Sequence, residues 1–191
     1  NGADSASRGA IGTPYRSVRY AQQQEASSGV GQVYMVRGGT SNESFAYATA
    51  DASDHPLVGM AFTADQPLLQ RNYPSETVTN NCLNAGGSYV AHSPFSIIYG
   101  LDAINTGGTG IGMQVNANAV GKLCTSRGNT FTGNNNPSSF RYTAGALLDS
   151  CIGGDTYDRG NTSHNSQDFL GWMDQGTGDA ILIDCESEGA N

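Results

Sequence analysis

Short runs of β-branched, aromatic and aliphatic residues recur along this chain, each closed within a few residues by Gly, Asn, Ser or Pro. That punctuation sets strand length and leaves little room for helix. Gln32-Val33-Tyr34-Met35-Val36-Arg37 is one such run and ends at a turn, Gly38-Gly39. Ser44-Phe45-Ala46-Tyr47-Ala48-Thr49 alternates large and small residues with period two, the pattern of a half-buried strand. Leu57-Val58-Gly59-Met60-Ala61-Phe62 follows, introduced by Asp54-His55-Pro56. Further runs are Ser88 to Gly100, interrupted at Pro94, then Gly110 to Val115, Asn118 to Cys124, and Asp179 to Cys185 after a turn at Gln175-Gly176-Thr177-Gly178.

Composition points the same way. The chain has 26 glycines, a single lysine (Lys122) and only 14% charged residues, against roughly 25% in ordinary soluble domains. The residues that build helices are therefore scarce, and helix is expected only as a single turn near Ala144–Ser150. No repeat of fixed period is visible, and the polar stretch Gly128 to Ser139 reads as an exposed loop. Three short strands joined by short turns suggest a meander. The predicted fold is all-β: a small antiparallel β-barrel or sandwich with long loops and an extended N-terminal arm.

At 191 residues the chain fits one domain that buries about two-thirds of its unfolded surface. Residues 1–29 read as an arm, too poor in apolar side chains to nucleate a core, and 30–191 as a single β-rich domain. The arm is locally basic. Its Ile11, Tyr15, Arg16, Val18, Arg19 and Tyr20 are candidate partner-binding residues, since Tyr and Arg are favoured at interfaces.

Net charge is −8 with nine cationic side chains, which lacks the electrostatic footprint for nucleic acid or for an anionic membrane surface. No run of about 18 apolar residues occurs. The start, Asn1-Gly2-Ala3-Asp4, carries neither initiator Met nor apolar signal core, as at a processed end or after a further segment. Cys82, Cys124, Cys151 and Cys185 are even in number and too widely spaced for a zinc site. Two disulfides in an oxidising, extracellular setting are expected, with three pairings open. The other reading is four buried thiols acting as small hydrophobes.

Motifs for catalysis are thin. His55, His92 and His164 stand in no nucleophile-elbow context, so no catalytic residue is expected. Asp155, Asp158, His164 and Asp168 fall close together, and their carboxylates could offer oxygen ligands to calcium, but the spacing fits no EF-hand and turn-forming Asp is common. No metal or cofactor is expected. Gly107-Gly108-Thr109-Gly110-Ile111-Gly112 lacks the Lys-Ser/Thr ending of a phosphate loop and reads as a turn. Trp172, beside Phe169 and Leu170, reads as core rather than as a sugar platform. Asn42-Glu43-Ser44 and Asn161-Thr162-Ser163 fit the glycosylation acceptor pattern.

Two segments resemble the head-decoration (capsid cement) proteins of tailed bacteriophages. One is Gly31 to Phe62, with its small-residue stretch Ala48-Thr49-Ala50-Asp51-Ala52-Ser53-Asp54. The other is Gly171 to Ile183, similar to that family's closing hairpin. The resemblance covers about a quarter of the chain. It implies a β-rich, often trimeric subunit that clamps capsid subunits together and has no active site.

The functional expectation is a non-enzymatic structural assembly protein, outside the cell or on a virion surface. Its partners would be other protein subunits, either a capsid lattice or identical copies in a homo-oligomer. A second reading is a filament subunit whose arm adds a strand to a neighbour. A third, from another class, is a secreted carbohydrate-binding protein or hydrolase, which would need exposed aromatics and a carboxylate of raised pKa.

Overall fold

The structure, a computed structural model, describes residues 33–42, 62–82, 90–91, 95–105, 111–115, 118–127, 129–131, 138–154, 156–158, 167–169 and 179–188, together with Thr13, Tyr20, Ala21 and Gln24. One sheet stacks β1 (Val33–Val36), β3 (Leu68–Asn72), β6 (Ser96–Tyr99), β9 (Val120–Lys122), β13 (Leu147–Asp149) and β17 (Ile181–Ile183) in that order. A second stacks β2 (Gly39–Ser41), β4 (Val78–Asn81), β7 (Asp102–Ile104), β10 (Thr125–Arg127), β14 (Ile152–Gly154) and β18 (Glu186–Glu188). A third holds β5 (Val90–Ala91), β8 (Ile111–Val115), β12 (Ser138–Tyr142) and β16 (Gln167–Phe169), and β11 (Asn129–Phe131) pairs with β15 (Thr156–Asp158).

Every ladder between these strands is parallel, and each strand pairs with its counterpart one circuit away. From β3 onward the chain visits the first, second and third sheets in turn, passing on two circuits through the β11–β15 pair between the second and third, then returns to the first one strand further along. This is a parallel β-solenoid of three-faced rungs. It overturns the antiparallel barrel or sandwich expected from the sequence. Period-two alternation and turn residues are the same in both architectures. What differs is the strand lying opposite, and here that strand is 23 to 39 residues away: Ile97 faces Val120, and Gly39 faces Val78.

Four smaller expectations change with it. Asp179 to Cys185 does hold a strand, but β17 pairs in parallel with β13, so its pairing is not that of a closing hairpin. The helical turn expected near Ala144–Ser150 is a turn at 144–145 followed by strand β13. The run broken at Pro94 supplies β5 and β6, which belong to different sheets. Of the arm, Tyr20, Ala21 and Gln24 are helical rather than extended, and Ala21 is buried.

Alternation decides what each rung buries. Strands β3, β4 and β6 each place every second residue inside. In the first sheet the inward column includes Gln70, Ile98, Gly121 and Leu148. The third sheet contributes Met113, Val115 and Phe140, all fully buried. Ile98, Leu148, Met113, Val115 and Phe140 form one hydrophobic cluster with Leu101 and Val78, and Leu68 is also buried. Each large side chain there contributes about 1.5–3 kcal/mol by leaving water. The second sheet keeps its inward column small, with Asn80, Ala103, Ser126 and Gly153 in register.

The corner between the first two sheets recurs in one form. Gly100, Leu123, Ser150 and Asp184 have φ of 62°, 52°, 53° and 47°, and each is followed by an inward residue: Leu101, Cys124, Cys151 and Cys185. A left-handed residue reverses which face the next side chain occupies, letting the strand turn without leaving the ladder. A second left-handed corner precedes the first sheet, at Phe95, Asn118 and Gly145, just before the small buried residues Ser96, Ala119 and Ala146. A ten-residue frame is therefore shared by 95–104, 118–127, 145–154 and 179–188.

Candidate interaction surface

The outward side of the first sheet carries two columns of side chains that run the length of the solenoid. The ladder register places Val33, Leu69, Ile97, Val120, Leu147 and Ile181 in one column. All six are aliphatic, although none belongs to the inward core column. Val33 and Ile181, on the outer rungs, are 54% and 58% exposed, and the four between them are half-buried by their neighbours above and below. Strands of a ladder lie about 4.8 Å apart, so this stripe is about 24 Å long.

Beside it, two residues along each strand, stands the column Met35, Arg71, Tyr99, Lys122, Asp149 and Ile183. Its ends are apolar and exposed, Met35 at 52% and Ile183 at 45%. Its middle is charged and internally paired. The Arg71 guanidinium lies 5.0 Å from the centroid of the Tyr99 ring. Lys122 Nζ donates to Asp149 Oδ2, and Asp149 Oδ1 accepts from Ser150 Oγ at 2.8 Å. The hydrogen bond from Lys122 holds the Asp149 carboxyl below the usual carboxylate range, and the same bond raises the Lys122 ammonium. Both groups stay charged across the physiological range.

A third feature lies at the adjacent corner. Cys124, Cys151 and Cys185 occupy one position on three successive rungs, because Thr125 pairs with Ile152 and Ile152 with Glu186. None of the four cysteines is joined in a disulfide in the structure, and Cys82 lies in a different column. Cys124 Sγ donates to Lys122 O at 3.3 Å, and Cys185 Sγ to Ile183 O at 3.4 Å. The hydrogen bond with Cys124, together with burial, pushes the Cys151 thiol well up, and burial also raises Cys185.

At the N-terminal end Arg37 Nε donates to Glu76 Oε2 at 2.9 Å and its Nη2 to Oε1 at 2.6 Å, while Gly38 N also donates to Oε2. Arg37 lies over the Tyr73 ring at 4.6 Å. This clamp ties β1 and β2 to the loop between β3 and β4, and it draws the Glu76 carboxyl down to about 2.

Of the residues singled out from sequence, Ile11, Tyr15, Arg16, Val18 and Arg19 lie outside the described residues, and Tyr20 is half-buried. His55, His92, His164, Asp155 and Trp172 also lie outside them. Asp158 is in β15 and Asp168 in β16, on different sheets. Among the described residues no group of three or more His, Cys, Asp or Glu is placed to hold a metal ion. The outward columns were missed by reading each strand separately. Their trace in the sequence is the recurrence Ser96-Ile97-Ile98-Tyr99-Gly100-Leu101, Ala119-Val120-Gly121-Lys122-Leu123-Cys124, Ala146-Leu147-Leu148-Asp149-Ser150-Cys151 and Ala180-Ile181-Leu182-Ile183-Asp184-Cys185. A small residue, an outward aliphatic and an inward corner residue hold fixed places in it, while the intervals between copies are unequal. Scanned against family models, and compared with curated proteins and with solved structures, the chain returns no match.

Proposed function

We propose that this chain is a structural assembly protein that docks on protein subunits through the outward face of its first sheet, a role of the kind capsid-decoration subunits perform. One observation carries the reading: six rungs in succession place an aliphatic side chain at the same outward position. A solvated sheet face ordinarily alternates apolar inside with polar outside. An unbroken apolar stripe on the outside, flanked by a charged column, has the composition of an interface with an apolar centre and a polar margin. The low charge of the whole chain fits a surface made for contact more than for free diffusion.

The test is the mass of the native particle by light scattering, for the wild type and for the double variant Ile97→Lys/Val120→Lys. Both side chains point away from the core, so the variant should fold, as circular dichroism will verify. An assembly larger than one chain that falls to monomer in the variant is the expected result. A wild-type monomer, or an assembly whose mass the variant leaves unchanged, would refute docking through this face.

A further inference from the structure

We infer that the partner on this face is a second copy of the same chain, packed face to face about a two-fold axis parallel to the strands, so that the two solenoids run in opposite directions. This rests on the docking role proposed above and names its occupant. A two-fold axis along the strands keeps each column opposite itself while reversing its order. Rung one then meets rung six, rung two meets rung five, and rung three meets rung four.

Under that operation the mixed column is complementary to its own reverse. Met35 meets Ile183, apolar against apolar. Arg71 meets Asp149, cation against anion. Tyr99 meets Lys122, a ring against an ammonium. The aliphatic column matches as well: Val33 with Ile181, Leu69 with Leu147, and Ile97 with Val120. No like charges meet. A two-fold axis along the solenoid would instead exchange the two columns, setting Arg71, Lys122 and Asp149 of one copy against the aliphatic column of the other, which the cost of desolvating charge disfavours. Each charge in the column already has an in-chain neighbour, Tyr99 for Arg71 and Lys122 for Asp149. The dimer extends these pairs into one network across the axis.

Size sets the concentration regime. Four residues of strand by six rungs is a face about 13 Å by 29 Å, and two such faces bury on the order of 800 Å² together. That is below the roughly 1,200 Å² at which stable specific interfaces begin and in the range of weak, transient ones, so association is expected in the micromolar range or weaker.

Charge reversal tests the register. In an Arg71→Asp homodimer, Asp would face Asp149 at both ends, and in an Asp149→Arg homodimer Arg would face Arg71. In a mixed pair of the two variants every contact is again between opposite charges. Sedimentation equilibrium over about 5 to 500 μM should therefore show wild-type dimers. Each variant alone should associate about tenfold or more weakly, and the equimolar mixture should regain dimer mass. Should Asp149→Arg fold poorly beside Lys122, copies carrying Ile97→Cys and Val120→Cys provide a second readout. Mixed, they should join through a short bis-maleimide, because rungs three and four meet at the axis. A wild-type assembly whose variants do not recover on mixing, or whose cysteine copies do not join, overturns the two-fold arrangement but leaves docking through the face intact. A wild type that stays monomeric throughout overturns both.

Discussion

Gly145→Ala isolates the corner on which the solenoid depends. Gly145 has φ of +79°, and a Cβ there would fall inside van der Waals contact of Asn118 Oδ1, 2.8 Å from Asn118 Cγ and 3.3 Å from Asn118 N. The two residues are the same corner on neighbouring rungs, so the Asn118 side chain sits over the space the glycine leaves. Two separable penalties follow. The left-handed backbone costs an L-residue about 1–2 kcal/mol. The steric one comes from Asn118: its side chain must leave the space over the glycine, giving up the place it holds, and its backbone nitrogen must give by a few tenths of an ångström, together about 1 kcal/mol of strain, most of it from the side chain. The turn is also held by Gly145 N donating to Asp179 O at 2.8 Å and Ala146 N to Thr143 O at 3.0 Å, so the backbone cannot easily relax. A total of about 2–3 kcal/mol should lower Tm by about 4–12 °C for a chain of this size. Asn118→Gly removes the opposing side chain at a site already left-handed, with φ of 63°. In the double variant only the backbone penalty and the residual approach to the Asn118 nitrogen should remain, giving a favourable coupling of up to about 1 kcal/mol in a cycle measured by thermal and urea unfolding. Gly145→Asn should be milder than Gly145→Ala in backbone strain, since Asn tolerates this region. If Gly145→Ala unfolds at the wild-type temperature, or if Asn118→Gly shows no coupling to it, the corner does not act as described.

Three further outcomes are expected. Leu148→Ala removes a fully buried side chain in register with Gly121, whose lack of a side chain leaves little nearby to fill the space, so it should lose about 2–5 kcal/mol in urea unfolding. Glu76 titrates in the folded chain at about 2 because Arg37 and Gly38 N donate to it, so its contribution is fully present above the ordinary carboxylate pKa near 4.5 and fades as pH falls toward 2. Carboxyl-carbon NMR should follow that titration, and a Glu76 midpoint near 4.5 would refute the clamp. Native-state alkylation followed by mass spectrometry should label Cys185, which is partly exposed, well before the buried Cys82, Cys124 and Cys151, and equal rates would contradict the stacking of the last rungs.

Strand content was legible in the sequence, and so were some strand positions among the described residues: Val33–Val36, Ile111–Val115, Val120–Lys122 and Ile181–Ile183 lie in runs marked by β-prone residues and closed by turns, whereas Leu68–Asn72 and Val78–Asn81 were not marked, Asn129–Phe131 fell in a stretch read as a loop and Leu147–Asp149 in one read as a helical turn. Those properties are local, since period two and a left-handed-tolerant residue are written within six or seven positions. The inward character of Cys124 and Cys151 was half legible, as buried thiols were one of two readings, but their stacking was not. The pairing of Ile97 with Val120 and of Val120 with Leu147 spans 23 and 27 residues across loops of different length, and no local signal specifies it. The docking face was hidden for the same reason. Val33, Leu69, Ile97, Val120, Leu147 and Ile181 are each an ordinary strand residue, and they become a continuous apolar stripe only because the ladder holds every rung in one register. Local sequence determined which residues alternate; the closure of each rung on the one before it decided which of them share a face, because hydrogen bonding between neighbouring rungs fixes a register that no single strand contains.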